Sequence, residues 1–328
     1  MHKVSVIIPN YNRSKVIKRT LDAVLNQTLK PFEVIVVDDG STDNSLEVLQ
    51  QYGSRITVIT QENLGPAAAR NNGFLNSSGD FISFMDSDDI PSLNKLEVQV
   101  NNLINQNADL VIGPWVRGWF NDTKFKAENV VLQMQGVPSS KSLLYWFLTE
   151  WSMVFQQTLI RKGSLLQVGL YDEQMKVMED GDLFVRFLLA NAKVVFEQES
   201  LLLYRLGNED KLTHAGASDV RKLKDRLYFY KKLFGYSKAL DIYNEASFQL
   251  QLFVLSEALK KIGIEDEVLN GYIKKSKFYF RMLSLKKRLT LGFQQRIQGH
   301  RWSRAYCTKE LVVEQKQLIN QLGYTLMP

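Results

Sequence analysis

The chain has 328 residues, 45% of them hydrophobic and 23% charged, with a formal net charge of +6. That balance belongs to a folded globular protein and excludes a disordered or collagen-like chain. The one cysteine, Cys307, excludes an internal disulfide and agrees with a reducing compartment.

No run reaches the ~18 apolar residues of a membrane span, and Met1-His2-Lys3-Val4 enters a strand-like run at once. The sequence therefore predicts no secretory leader and a cytoplasmic location. The positive charge is unevenly placed. Eleven Lys/Arg and no Asp/Glu fall between Val268 and Lys309, which leaves the remainder net acidic.

Val4-Ser5-Val6-Ile7-Ile8-Pro9 reads as a buried strand stopped by proline. Asn10-Tyr11-Asn12-Arg13 is a polar loop with Ser14 as the N-cap of a helix, whose stripe is Val16, Ile17, Leu21, Ala23 and Leu25. Glu33–Val37 is a second buried strand ending in Asp38-Asp39-Gly40-Ser41-Thr42-Asp43. A helix over Ser45–Tyr52 and a strand at Ile56–Thr60 follow. This alternation predicts an α/β fold with doubly wound parallel strands. Polar loops at the strand ends mark the sheet edge where a nucleotide binds. Neither a Gly-x-Gly-x-x-Gly nor a Walker sequence is present.

Asn63–Asn71 opens a helix of small residues, and its Arg70 either holds a phosphate, fixes the acidic loops or is an ordinary surface arginine. Phe81-Ile82-Ser83-Phe84-Met85-Asp86-Ser87-Asp88-Asp89 is an apolar strand ending in three carboxylates. In an extended chain Asp86 and Asp88 would point the same way, roughly 6–7 Å apart. Their repulsion asks for a cation, and oxygen-only ligands suit Mg²⁺ or Mn²⁺. The competing reading is an acidic turn capping a helix.

Further on, Asp109–Gly113 reads as a strand, Gly118–Gly136 as an irregular hairpin, and Trp146, Trp151 and Phe155 as an aromatic cluster near Met153. Glu179 and Asp180 sit at the start of a helix carrying Leu183, Phe184, Phe187 and Leu188, where the helix dipole stabilises carboxylates. Short strands at Val194–Phe196 and Leu201–Tyr204 close this region. From about Ser218 the pattern turns helical, with stripes from Val220 to Phe234, over Leu240–Ile262 and over Leu311–Leu322. The domain division expected is 1–210 and 211–328.

Taken together, Val4–Arg13, Glu33–Asp43, Asn63–Asn71, Phe81–Asp89 and Glu179-Asp180 resemble, in order and spacing, a family 2 glycosyltransferase of the GT-A type. The resemblance covers Val4 to about Tyr204. It implies a Rossmann-like mixed sheet flanked by helices, followed by a C-terminal helical region. It also implies an inverting, metal-dependent enzyme that moves a sugar from a nucleotide-diphosphate donor, UDP first among them. The acceptor would be a hydroxyl of a glycan or lipid-linked molecule, in the biosynthesis of cell-surface polysaccharide. By the same resemblance Pro9, Tyr11, Asp38, Arg70 and Asp86 serve the donor. Asp88, Asp86 and His214 hold Mg²⁺ or Mn²⁺, and Asp180 is the general base. Family members often carry a histidine soon after the strand that ends here at Tyr204-Arg205, whereas His214 lies nine residues beyond Arg205.

Three other readings compete. A nucleotide-sugar-binding protein without catalysis would be favoured by loss of Asp88 or Asp180, and both are present. RNA binding, suggested by a pI of 9.1, lacks any nucleic-acid motif, so no nucleic-acid partner is expected. A nucleotidyltransferase would need a glycine- and lysine/arginine-rich phosphate loop that is missing here. Last, Phe278, Met282, Leu285, Leu289, Phe293 and Ile297 fall on one helical face beside Lys274, Lys277, Arg281 and Arg288. That layout suits peripheral contact with an anionic membrane, at its inner face; Phe280, Leu283 and Leu291 on the opposite face and Gly292 favour instead packing against the catalytic domain or a partner subunit.

Overall fold

This computed structural model describes residues 2–127, 141–149, 151, 153–206, 219–236, 241–286 and 316–327. Its centre is a seven-stranded sheet in the order β10 (Val194–Phe196), β6 (Leu110–Ile112), β9 (Thr158–Arg161), β4 (Phe81–Phe84), β1 (Val4–Asn10), β2 (Glu33–Asp38) and β3 (Thr57–Thr60). The strands β4, β1, β2 and β3 run parallel. The exception is β9, antiparallel to both of its neighbours, which makes the sheet mixed. All seven residues of β1 are buried, because a central strand covered on both faces needs a continuous apolar run rather than an alternating one.

Helix α3 (Pro66–Leu75) shows how closely the layers approach. It starts with Pro66 directly after Gly65, whose φ of 95° favours glycine. A side chain at Gly73 would place its Cβ 2.4 Å from Ile7 Cγ2 on β1, so the run of Ala and Gly lets the helix settle directly on the sheet. Helix α1 (Ile17–Leu25) buries Ile17, Leu21, Ala23 and Val24. Ser14 does not cap it, however. The N-cap position is Val16, and the Ser14 hydroxyl instead donates to Asp43 at 2.7 Å, because the preceding loop is committed to the end of β2.

A second sheet of five strands runs β12 (Thr325–Met327), β8 (Lys124–Ala127), β7 (Trp115–Asn121), β11 (Leu202–Arg205) and β5 (Ile90–Pro91). The hairpin of β7 and β8 falls where the irregular stretch is expected, with Asp122 in the left-handed region at its tip. A parallel strand, β12, brings the end of the chain back onto β8; no pattern in the sequence marks it.

Helices α8 (Val220–Phe234), α9 (Ala246–Lys260) and α10 (Glu267–Tyr272) share a separate apolar cluster built on Leu223, Tyr230, Leu233, Phe248, Leu252, Leu255 and Leu269. Met175 and Val185 from the sheet-bearing part are buried in the same cluster, so the helical unit is seated on the segment around residue 180.

Candidate active site

The carboxyl ends of β1, β2 and β4 meet at one edge of the large sheet. Asn10, the last residue of β1, donates through Nδ2 to Asp38 Oδ2 at 2.7 Å, and the other Asp38 oxygen accepts from the Ser41 amide at 2.9 Å. Asn12 adopts φ 52° and accepts from the Thr42 amide at 2.7 Å. Asp39 accepts from Gln61 Nε2 and from the Leu64 and Gly65 amides at 2.7–2.9 Å. Short acidic and amide side chains thus zip three loops together, and both aspartates are buried. Pro9 is buried in register with Val37. Tyr11 is 44% exposed, an aromatic surface offered to solvent at this edge.

After β4 the ladder extends as far as Met85, whose amide donates to Ile7 O at 2.9 Å. The chain does not stay extended beyond it. A turn at Ser87–Asp88 folds the backbone so that the Asp89 amide approaches Asp86 O at 3.4 Å. Through that turn one oxygen each from Asp86, Asp88 and Asp89 lies within 4.8 Å of the others. The sequence-level spacing is therefore right for a cluster, but for a different reason: a turn gathers the acids, and it adds Asp89. Arg13 Nε stands 3.9 Å from Asp88 Oδ2. Asp89 is fully buried and accepts the Arg205 amide at 3.0 Å. Three hard oxygen donors crowded together repel one another unless a cation intervenes, and a divalent ion with oxygen preference fits that set.

Arg70 lies on α3 beneath this edge and is only 4% exposed. Its Nη2 donates to Asp86 Oδ1 at 2.8 Å and its Nη1 to Glu179 Oε1 at 3.0 Å, with Asp180 Oδ1 at 3.9 Å. The guanidinium also stacks 5.2 Å from the centre of the Tyr171 ring. Gln156 holds the second Asp86 oxygen at 2.5 Å. One cation thus serves three carboxylates, and their field raises the Arg70 pKa above its ordinary value against the cost of burial.

Glu179 and Asp180 open α7 (Glu179–Leu189), where the helix dipole favours negative charge. Desolvation pushes the Asp180 carboxyl up to about 7. Arg70 opposes that rise, Glu179 and Asp86 add to it, and the Tyr171 hydroxyl lowers it again. The Asp180 side chain is nevertheless 32% exposed, so it is reachable from solvent. Its Oδ1 and Glu179 Oε2 accept no hydrogen bond among the described residues. A carboxyl that is accessible, partly unsatisfied and titrating near neutrality is suited to exchange a proton with a bound hydroxyl.

The loop before α7 is fastened from two sides. Asn71 donates to Tyr171 O at 3.0 Å and accepts from the Tyr171 amide at 3.0 Å. From α8, Asp225 accepts the Lys176 and Val177 amides at 2.6 and 2.8 Å, while Lys232 joins Asp172 at 2.8 Å and Asp182 at 2.9 Å.

The fold brings Pro9, Tyr11, Asp38, Arg70, Asp86, Asp88 and Asp180 to one sheet edge. His214 lies outside the described residues. Arg70 is buried rather than a surface arginine, and its guanidinium fixes carboxylates. Gln156, Tyr171, Asn71 and Lys232 join the site without being singled out by the sequence. Nothing local marks a glutamine 70 residues away from the aspartate it holds.

Residues 5–169 match the protein family described as Glycosyl transferase family 2. An uncharacterized glycosyltransferase of Rickettsia prowazekii, RP339, is 30% identical over 275 residues, which is 83% of this chain and 81% of that protein. GlyA of Streptococcus pneumoniae, a glycosyltransferase, is 30% identical over 219 residues; the match spans 62% of this chain and 30% of GlyA. WfgD of Escherichia coli, named as a UDP-Glc:alpha-D-GlcNAc-diphosphoundecaprenol beta-1,3-glucosyltransferase, is 42% identical over 112 residues, 34% of this chain and 44% of WfgD. Among solved structures, S. aureus TarS 1–349 in complex with UDP-GlcNAc aligns with a TM-score of 0.55 at 22% identity, over 78% of this chain and 71% of that one. The mannosyltransferase PcManGT from Pyrobaculum calidifontis, in complex with GDP-Man and Mn²⁺, aligns with a TM-score of 0.56 at 14% identity, over 98% and 85%.

Proposed function

The chain belongs to glycosyl transferase family 2 and has the GT-A fold, and from that premise we propose a metal-dependent, inverting transfer of a sugar from a UDP-sugar to an acceptor hydroxyl. The acceptor class we assign is a glycan or a lipid-linked sugar of cell-surface polysaccharide synthesis. One observation carries the reading. A single buried guanidinium, Arg70, binds Asp86 at the end of β4 and Glu179 beside Asp180 at the start of α7, so donor-side and acceptor-side carboxylates share one rigid frame.

Within that frame Tyr11 offers its exposed ring to the nucleobase, and Pro9 and Asp38 shape the loop around it. Asp86 faces the ribose and the cation; Asp88 and Asp89 complete the oxygen set, with His214 as a further ligand. Bound Mg²⁺ or Mn²⁺ would supply Lewis-acid neutralisation of the leaving diphosphate. Arg13, beside Asp88, adds a fixed positive charge on the same side. Asp180 takes the proton of the attacking hydroxyl, and its raised pKa matches it to that task near neutral pH. The names of the relatives support the substrate classes: WfgD is named for a UDP-glucose donor and a diphosphoundecaprenol-linked acceptor, and PcManGT was solved with Mn²⁺. The separate apolar cluster shared by α8, α9 and α10 supports a division into a catalytic region, 1–210, and a C-terminal region, 211–328, from which β12 returns to the second sheet.

The test is a thermal-shift screen of the purified chain with UDP-, GDP- and dTDP-sugars, with and without Mn²⁺, followed by turnover of the stabilising donor. Stabilisation by UDP-sugar that requires Mn²⁺ and disappears in Asp88→Ala is the expected result. Full turnover in excess chelator would remove the metal from the proposal.

A further inference from the structure

Beyond α10 the chain enters a helical segment, 277–286, begun by Ser276, whose hydroxyl accepts the Tyr279 amide at 3.2 Å. One side of it is anchored. Phe280 is fully buried and stacks on Phe253 of α9 at 4.6 Å, and Lys277 pairs with Glu257 of α9 at 2.8 Å. The opposite side is open: Phe278 is 73% exposed, Met282 51% and Leu285 50%. Spacings of four and three put these three on one stripe. Arg281 flanks it, and Lys274 and Lys275 are exposed just before the helix starts, the Lys274 ammonium donating to Asn244 Oδ1 at 2.7 Å. From Ile273 to Lys286 there is no acidic residue.

An aromatic and two long aliphatic side chains standing in water, rimmed by cations, form a face built for a particular occupant. A second copy of the same face would bring like charges together, and an uncharged apolar groove would offer no anion to Lys275 and Arg281. A surface that is apolar inside and anionic outside answers both parts. We propose that the exposed face of segment 277–286 docks on an anionic phospholipid bilayer. Phe278, Met282 and Leu285 enter the boundary between headgroups and acyl chains, and Lys275 and Arg281 meet the phosphates. The helix lies in the plane of the surface, since Phe280 and Lys277 hold its other side on α9. No helix among the described residues is long and apolar enough to cross a membrane, so the contact proposed is peripheral. It extends the transferase reading and does not depend on it.

The experiment is co-sedimentation of the full chain with vesicles of phosphatidylcholine alone or mixed with phosphatidylglycerol, at low and high salt, without donor or acceptor. Binding should require the anionic lipid, fall steeply with salt, and weaken about fivefold for each cation removed, as in Arg281→Gln or Lys275→Gln. The triple variant Phe278→Ser, Met282→Ser, Leu285→Ser changes only exposed side chains, and it should keep the parent melting temperature while losing vesicle binding. Equal binding to neutral and anionic vesicles, binding unaltered in the triple variant, or no binding at all would overturn the proposal. So would lipid-independent self-association abolished by that variant, which would assign the face to a second copy. Displacement from vesicles by RNA at matching affinity would assign it to a polyanion and overturn the proposal as well.

Discussion

Arg70 and Asp86 are joined by a 2.8 Å salt bridge between residues on different elements, one on a helix lying on the sheet and the other at the end of a strand. The same guanidinium reaches Glu179 at 3.0 Å, so a single buried side chain sets the distance between the acidic turn after β4 and the start of α7. With one cation against three carboxylates, the site keeps surplus negative charge, which is the condition under which a carboxyl there holds its proton longest.

Removing that cation should be felt in stability first. Arg70→Met leaves Glu179 buried without its guanidinium and Asp86 held, among the described residues, only by Gln156, a loss of about 3–5 kcal/mol. Arg70→Lys keeps the charge, but a point ammonium cannot fork to two carboxylates, so it should recover only part of the loss. Denaturant midpoints of the three proteins measure this, and equal midpoints would show that the bridge is not what holds the turn.

Asp180→Asn retains shape and removes basicity. Donor binding should persist while transfer falls by roughly 10²–10⁴-fold. Because the base works when deprotonated and its pKa is pushed up to about 7, kcat/KM of the parent should climb as pH rises through that value and flatten above it. A parent profile flat down to pH 5, or an active Asp180→Asn beside a dead Glu179→Gln, would move the base elsewhere.

Lys232 does not touch the reacting groups, yet it bridges Asp172 and Asp182 on either side of the Glu179-Asp180 pair. Lys232→Met should cost about 1.5–3 kcal/mol, the range for hydrogen bonds to charged groups. It should also lower kcat with the donor dissociation constant unchanged, and Lys232→Arg should restore most of the rate. A drop in stability with kcat intact would confine Lys232 to the fold.

Under the sheet, Lys95 is fully buried, donating to Ser83 Oγ at 2.9 Å and to Thr158 O at 3.2 Å. Burial pulls its pKa down to about 7, with Glu197 opposing the fall. The unfolded chain keeps that proton to about pH 10.4. Between the two values the unfolded state binds more protons, so Lys95 makes stability rise with pH, by about 1.4 kcal/mol per pH unit for this group alone. Lys95→Met should flatten the rise between pH 7 and pH 9 in denaturant titrations. An identical slope in the variant would show that Lys95 stays charged in its pocket.

The sequence by itself determined the strands and the acids that end them. Runs such as Val4–Pro9, Glu33–Val37 and Phe81–Met85 are mostly apolar because both faces of a central strand are covered, and that signal is local. It also marked Asp86, Asp88 and Asp180, since polar residues at strand ends and helix starts stand out against such runs, whereas Asp38 is assigned by the family resemblance. What it could not supply was pairing across distance. Whether β9 runs against its neighbours, whether the end of the chain returns as β12, and which cation neutralises Asp86 are set by which surfaces meet in space. The extended geometry expected for Asp86 and Asp88 gave way to a turn because hydrogen bonds to Gln156 and Arg205 hold Asp86 and Asp89 from segments 70 and 116 residues away. Periodicity reads one element at a time, whereas a buried carboxylate is stabilised by whatever donor the tertiary fold brings to it.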